Sequence, residues 1–216
     1  MQFEFFDPQG ETTIHYRRLP HWDQPGVVCF ITWRTVDSIP AEVLGRWRVE
    51  RAVWLRRHGI DPQAEYWREQ LRALPSAARR DYHDRFTSPW MECLDGCHGA
   101  CVLRRRELAQ IVADNLLHQD GGLYELSDFV VMPNHVHLLA QFRSEGGMKR
   151  CCQTWKHYTA RRINDELGQA GHFWQAESFD HLVRSPEQFE YLRGYVAQNP
   201  VVAGLREGEY WHFRKQ

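Results

Sequence analysis

The stretch from Tyr124 to Phe142 constrains this chain more than any other. Two runs rich in β-branched and aromatic residues, Tyr124–Met132 and His135–Phe142, are separated only by Pro133-Asn134 and read as the arms of a hairpin. Upstream, Val27–Trp33 is a similar run opened by Pro25-Gly26 and reads as a buried strand. From Ala41 to about Leu74, apolar residues recur near helical spacing with a break at Gly59 to Pro62, which predicts two helices. The stretch after them, holding Pro75, Pro89 and three cysteines, reads as irregular, and Glu107–His118 reads as a helix ended by Gly121-Gly122. Beyond the hairpin, the pattern predicts a helix over Met148–Leu167, a short strand around Glu177–Val183, and a helix from Pro186 to about Asn199 stopped by Pro200. This mixed order around an antiparallel hairpin predicts an α+β sheet with helices on one face, not a doubly wound parallel sheet.

Composition narrows the class. With 43% hydrophobic and 25% charged residues over 216 positions, the chain is neither disordered, collagen-like nor a coiled coil, and its length suits one domain, 1–216. The formal charge of −1 leaves no global positive field, so a nucleic-acid site must be a local patch. Of the 27 basic residues, all but Lys149, Lys156 and Lys215 are Arg, whose guanidinium fork suits bidentate contacts to phosphates and base edges. The N-terminus has no basic segment leading into an apolar one, and no run approaches the ~20 apolar residues of a membrane span. A cytoplasmic protein without a membrane partner is expected. The 6 cysteines are too unevenly placed for a disulfide framework, so reduced thiols are expected.

His135-Val136-His137 is the most informative tripeptide. Alternate residues of a strand share a face, so both imidazoles project together and can chelate one divalent cation. Two histidines leave a cation undercoordinated, and further ligands must come from elsewhere in the fold. A histidine-triad nucleotide hydrolase would need a third histidine where Leu139 stands. A zinc hydrolase would need a third His or carboxylate with a water-activating base, and none stands at a diagnostic spacing. Tyr195 and Asn199 lie one helical turn apart on one face, which offers a phenol and an amide oxygen together.

These residues resemble a family. Pro133-Asn134-His135-Val136-His137-Leu138-Leu139, followed by Tyr195-x-x-x-Asn199-Pro200-Val201-Val202-Ala203-Gly204-Leu205, is similar to the REP-associated tyrosine transposases of the single-tyrosine HUH superfamily. Supporting stretches are Tyr16–Trp22, Thr32-Trp33-Arg34, Trp155–Ala160 and Phe173-Trp174-Gln175. The resemblance leaves out a helical insert at about 41–105. It implies a ferredoxin-like antiparallel sheet with helices packed on it, plus this helical insertion. It also implies that His135, His137 and Asn199 hold a divalent metal, Mg²⁺ or Mn²⁺, and that Tyr195 is the nucleophile. The activity implied is cleavage and transfer of single-stranded DNA at REP-type hairpin repeats through a covalent 5′-phosphotyrosine, by a monomer or a homodimer. The alternative is a domesticated module that binds hairpin DNA or RNA without cutting.

Binding residues follow from charge. Lys149, Arg150, Lys156, Arg161 and Arg162 make the Met148–Leu167 helix locally basic, and Arg17, Arg18 and His21 form a second cluster suited to phosphates or bases. Tyr158 and Tyr191 are rival phenols, but only Tyr195 has Asn four residues on followed by Pro. Cys93, Cys97, His98 and Cys101 offer four zinc-type ligands at a spacing that is not a standard knuckle, and the cysteines equally suit small buried positions on a helix.

Overall fold

A computed structural model describes residues 3–16 and 20–215, the side chains of residues 14–16, 20 and 21 excepted. A short hairpin, β1 (Thr13–Tyr16) and β2 (Pro20–Asp23), precedes the strand β3 (Val28–Arg34). Four helices follow: α1 (Ala41–Arg57), α2 (Trp67–Ala73), α3 (Ser76–Phe86) and α4 (Ser88–Asp95). A 3-10 turn at Val102–Arg104 leads to α5 (Arg106–Leu117) and the hairpin β4 (Tyr124–Val131) and β5 (His135–Phe142). The chain ends with α6 (Gly147–Leu167), β6 (Phe179–Leu182), α7 (Pro186–Val202) and β7 (Trp211–Arg214).

The sheet order is β6-β3-β5-β4-β7, antiparallel throughout. Its first four strands, with α5 and α6 as crossovers, make the ferredoxin-like arrangement. Strand alternation builds two cores. Cys29, Ile31 and Trp33 of β3 and Val136, Leu138 and Ala140 of β5 face α5 and α6, where they meet Leu108, Val112, Leu116, Trp155 and Ile163. Val28, Phe30 and Leu139 face the other way and pack on Phe189, Leu192 and Val196 of α7. Helices therefore cover both faces, not one as the element order suggests, because a sheet that buries both sets of side chains needs a layer on each side.

Three other expectations are corrected. The Pro75–Pro89 stretch is helical, since Pro75 precedes the first residue of α3 and Pro89 sits in the first turn of α4, where a missing N–H costs nothing. Pro200 does not stop α7 but lies inside its last turn, where the helix runs on to Val202 and Leu205 N–H donates to the Pro200 carbonyl at 2.9 Å. β7, an added edge strand, has no counterpart in the sequence reading.

A bulge in β4 aims one carboxylate. Between Leu126 and Asp128 the register against β5 shifts, so Leu126 and Phe129 both serve the α5/α6 core while Asp128 turns to α7. There Asp128, fully buried, accepts from Arg193 Nε at 2.8 Å and lies 3.6 Å from Arg214 Nε. The pair ties α7 to the sheet two residues before Tyr195.

The insert is pinned to the sheet at its return. Gly99 has φ +91, and a Cβ there would stand 2.7 Å from the Asp37 carbonyl oxygen. That close approach lets Ala100 N–H donate to Asp37 Oδ2 at 2.7 Å. The returning chain also covers the hairpin turn, where Leu103 N–H donates to the Pro133 carbonyl at 3.1 Å, and Thr35, just past β3, donates its N–H to the Asn134 carbonyl at 2.8 Å. Both carbonyls would otherwise be buried without partners.

Arg193→Ala is expected to lower the unfolding free energy by about 3 kcal/mol, the low end for breaking a buried pair, because Arg214 stays near the stranded carboxylate. Adding Asp128→Asn should recover part of that loss, and urea unfolding of the two single variants and the double variant measures the coupling.

Candidate active site

His135 and His137 leave β5 toward α7, both 0% exposed, with their Nε2 atoms 3.0 Å apart. Burial holds the His135 imidazole down to about 3 and that of His137 well below its ordinary range, so both rings are neutral near pH 7. The far nitrogens set their orientation. Asn134 Nδ2 donates to the His98 carbonyl at 2.8 Å, which leaves its Oδ1 to accept from His135 Nδ1 at 2.7 Å. The proton of His135 is thereby on Nδ1, and the Nε2 lone pair points into the site. Thr32 Oγ1 lies 2.7 Å from His137 Nδ1, and Phe30 stacks on the same ring at 5.5 Å between centroids.

α7 brings the phenol. Ser185 caps its start by accepting from Gln188 N–H at 3.2 Å, Pro186 opens its first turn, and Phe189, Leu192, Val196 and Asn199 form its buried stripe. Tyr195 at the margin of this stripe places its hydroxyl 3.5 Å from His137 Nε2. Burial and the nearby Asp95 carboxylate raise its pKa, so the phenol stays protonated. One turn on, Asn199 Nδ2 donates to Asp95 Oδ1 at 3.0 Å, while the buried Asn199 Oδ1 has no hydrogen-bond partner among the described residues.

Asp95, the last residue of α4, completes the group. Its Oδ1 lies 3.8 Å from His135 Nε2, and one ligand atom each from Asp95, His135 and His137 fall within 4.8 Å of one another. Burial pushes its carboxyl up, and the hydrogen bond from Asn199 partly opposes that. Two neutral imidazole nitrogens, a carboxylate and an orphaned amide oxygen together suit a divalent cation that takes mixed N and O ligands.

The four residues expected to act together, His135, His137, Tyr195 and Asn199, share this place. The rival phenols do not: Tyr191 is 71% exposed, and Tyr158 is 43% exposed on α6, across the sheet. The basic residues Lys149, Arg150, Lys156, Arg161 and Arg162 also stand on α6, on the face away from the imidazoles. Lys156 Nζ donates to the Ala176 carbonyl at 2.7 Å, Arg150 Nη2 to Ser144 Oγ at 2.9 Å, and Arg162 Nη1 to Tyr158 Oη at 3.1 Å. Arg17 and Arg18 lie outside the described residues; His21 belongs to β2, but its side chain lies outside them as well.

Cys93, Cys97, His98 and Cys101 do not gather into a metal-sized group among the described residues. Nor do the cysteines share one helix: Cys93 is in α4, whereas Cys97 and Cys101 have φ of 48 and 49 beyond its end. The Cys101 thiol donates to the Cys97 carbonyl, and burial raises the Cys97 thiol to about 11.

Asp95, Thr32 and Asn134 are site residues that sequence reasoning missed. Asn134 had a signal, since it adjoins His135 and a histidine ligand needs a fixed tautomer. Asp95 had none, because it belongs to the insert and reaches the site only through the packing of α4 against α7.

Residues 104–199 match the family described as "Transposase IS200 like". That span contains His135, His137, Tyr195 and Asn199 but not Asp95. No curated protein matches the chain. Among solved structures, it is similar to one described as "Structure of the REP associates tyrosine transposase bound to a REP hairpin", at 13% identity and a TM-score of 0.42, over 89% of this chain and 76% of that one. No helix among the described residues is long and apolar enough to cross a membrane.

The buried imidazoles make stability depend on pH. His135, held down to about 3, and His181, held by burial down to about 4, protonate in the unfolded chain near 6.5 but not in the folded one. Between those values the unfolded state binds more protons, so stability is full above about pH 6.5 and is lost as pH falls toward 4, by up to about 1.4 kcal/mol per pH unit for each group. The urea midpoint of the metal-free protein is expected to be level above pH 7 and to fall from pH 6 downward; a level midpoint down to pH 5 would contradict the burial of these two rings.

Proposed function

We propose, for a chain whose residues 104–199 match the IS200-like transposase family, that it is a metal-dependent single-stranded DNA endonuclease and strand transferase with Tyr195 as nucleophile. The observation that carries this reading is the meeting of the Tyr195 hydroxyl with paired, neutral, buried imidazoles inside the matched segment. A single chain supplies both. The hairpin repeats of REP type come from the motif resemblance as the proposed substrate, and the whole of 1–216 is proposed as one HUH-type domain with residues 41–105 inserted.

His135 and His137 present their Nε2 atoms, Asp95 supplies negative charge, and the orphaned Asn199 Oδ1 supplies a further oxygen. When bound, Mg²⁺ or Mn²⁺ would polarise the scissile phosphate and offset charge building on its non-bridging oxygens. Asn134 and Thr32 hold the imidazoles in place. Tyr195 Oη attacks the phosphorus, the bond to the 3′-oxygen breaks, and the products are a 5′-phosphotyrosine and a free 3′-hydroxyl. The phenol releases its proton to solvent as the new bond forms, and the departing 3′-oxygen takes one up, so the exchange balances. The raised pKa of the phenol keeps it unreactive until the site is loaded. The exposed Arg150, Arg161 and Arg162 of α6 remain proposed contacts for DNA backbone away from the cut.

The test uses single-stranded repeat hairpins labelled at either end, with Mn²⁺, Mg²⁺ or EDTA, resolved on denaturing gels. A covalent adduct on the fragment 3′ of the cut is expected, absent with EDTA and absent in Tyr195→Phe. An adduct that persists in Tyr195→Phe would move the nucleophile to another tyrosine, and hairpin binding without an adduct would favour a binding module. Asp95→Ala is expected to weaken Mn²⁺ binding measured by titration calorimetry by roughly 10- to 100-fold, the scale of losing a supporting group at a metal site.

A further inference from the structure

The inserted helices enclose a cavity of about 760 Å³ against the β3/β6 edge of the sheet. Its volume lies within the ~300–1,000 Å³ of ligand pockets. Five arginines, Arg34, Arg48, Arg51, Arg68 and Arg72, line it against one carboxylate, Glu177. Aromatic walls alternate with them. Arg51 and Arg68 lie 5.6 and 4.3 Å from the ring centroid of Trp67, and Arg34 lies 5.8 Å from that of Trp90. Trp47, half-buried in the wall, has no ring or guanidinium stacked on it among the described residues.

Gathering these guanidinia has a cost. Burial lowers the Arg68 pKa and its neighbours Arg51 and Arg72 lower it further, while burial with Arg48 nearby brings Arg34 down to about 10. A chain of net charge −1 that concentrates arginines in one partly desolvated cavity is arranged for an anion. Guanidinia set beside the uncovered ring of Trp47 specify the anion as a strand with planar bases, since stacking holds the base and the forks hold the phosphates. A duplex is excluded because its bases already stack on each other.

The cavity lies beside the site and shares one residue with it. Thr32, whose hydroxyl meets His137, lines its wall, and Trp90 shares α4 with Asp95, about 7.5 Å away along the helix axis. We propose that this cavity holds unpaired nucleotides of the single-stranded DNA next to the scissile phosphate, with Trp47 as a stacking face and Arg48, Arg51, Arg68 and Arg72 binding phosphates. The proposal rests on the active-site reading under Proposed function, and it assigns the insert a role that the matched family segment does not contain.

The test is fluorescence anisotropy with a labelled oligothymidylate, using full-length protein carrying Tyr195→Phe, in EDTA so that cleavage cannot intrude. Trp47→Ala is expected to weaken binding between about fivefold and about 150-fold, the range for removing the partner of one stacked base. Arg68→Gln, and Arg48→Gln at the exposed rim in case the first disturbs folding, should each flatten the salt dependence by roughly 0.7 for every phosphate no longer neutralised. Abasic sites in the probe should weaken binding to the parent but not to Trp47→Ala, which a merely structural tryptophan would not produce. Variants that melt like the parent and bind equally tightly would overturn the proposal, as would tighter binding of the matching RNA or of a duplex. Cavity variants that bind normally while the Tyr195 adduct still forms would sink this inference alone. Cavity-dependent binding without any adduct from the unsubstituted protein would sink the active-site reading instead.

Discussion

Two neutral imidazoles facing each other 3.0 Å apart, with no exposure to water, are the constraint on which the rest of this structure depends. Burial removes their charge, and without charge they can stand side by side in a sheet interior and offer lone pairs to a cation. Such an arrangement tolerates no freedom in the rings. Asn134 and Thr32 supply that rigidity from behind, and Phe30 covers the flank of His137. Each of these partners comes from β3 or from the turn that opens β5, so the central strand pair is both scaffold and site.

The phenol is delivered by a separate layer. α7 lies on the face opposite α5 and α6, held by an apolar stripe and by one buried ion pair, Asp128 with Arg193. The bulge in β4 turns Asp128 toward α7, since unbroken alternation from Leu126 would have sent Phe129 to that side. A local irregularity in one strand therefore bears on where Tyr195 sits. The same logic explains Pro200: in the last turn it forfeits one helical hydrogen bond while the helix's burial is already secured.

The insert at 41–105 is more than an appendage. It has its own small core around Trp54, Leu55, Ile60 and Trp67, and its return segment covers the turn between β4 and β5. From that position the end of α4 reaches the imidazoles with Asp95, and the His98 carbonyl fixes Asn134. Its helices also wall the arginine-lined cavity.

What could be read in the sequence was local and periodic. The hairpin, the shared face of His135 and His137, the one-turn spacing of Tyr195 and Asn199, and the helices at 41, 106, 147 and 186 all follow from repeats of 2 and 3.6 residues acting over a few positions. The helices α3 and α4 were hidden because their prolines were read as breakers when they stand at helix starts. The layer on the second face, the added strand β7, the basic helix α6 lying across the sheet from the imidazoles, and Asp95 at the site were decided by tertiary structure alone. Each depends on contacts between residues tens of positions apart, and sequence spacing carries no record of which distant side chain will fill a given place in a packed interior.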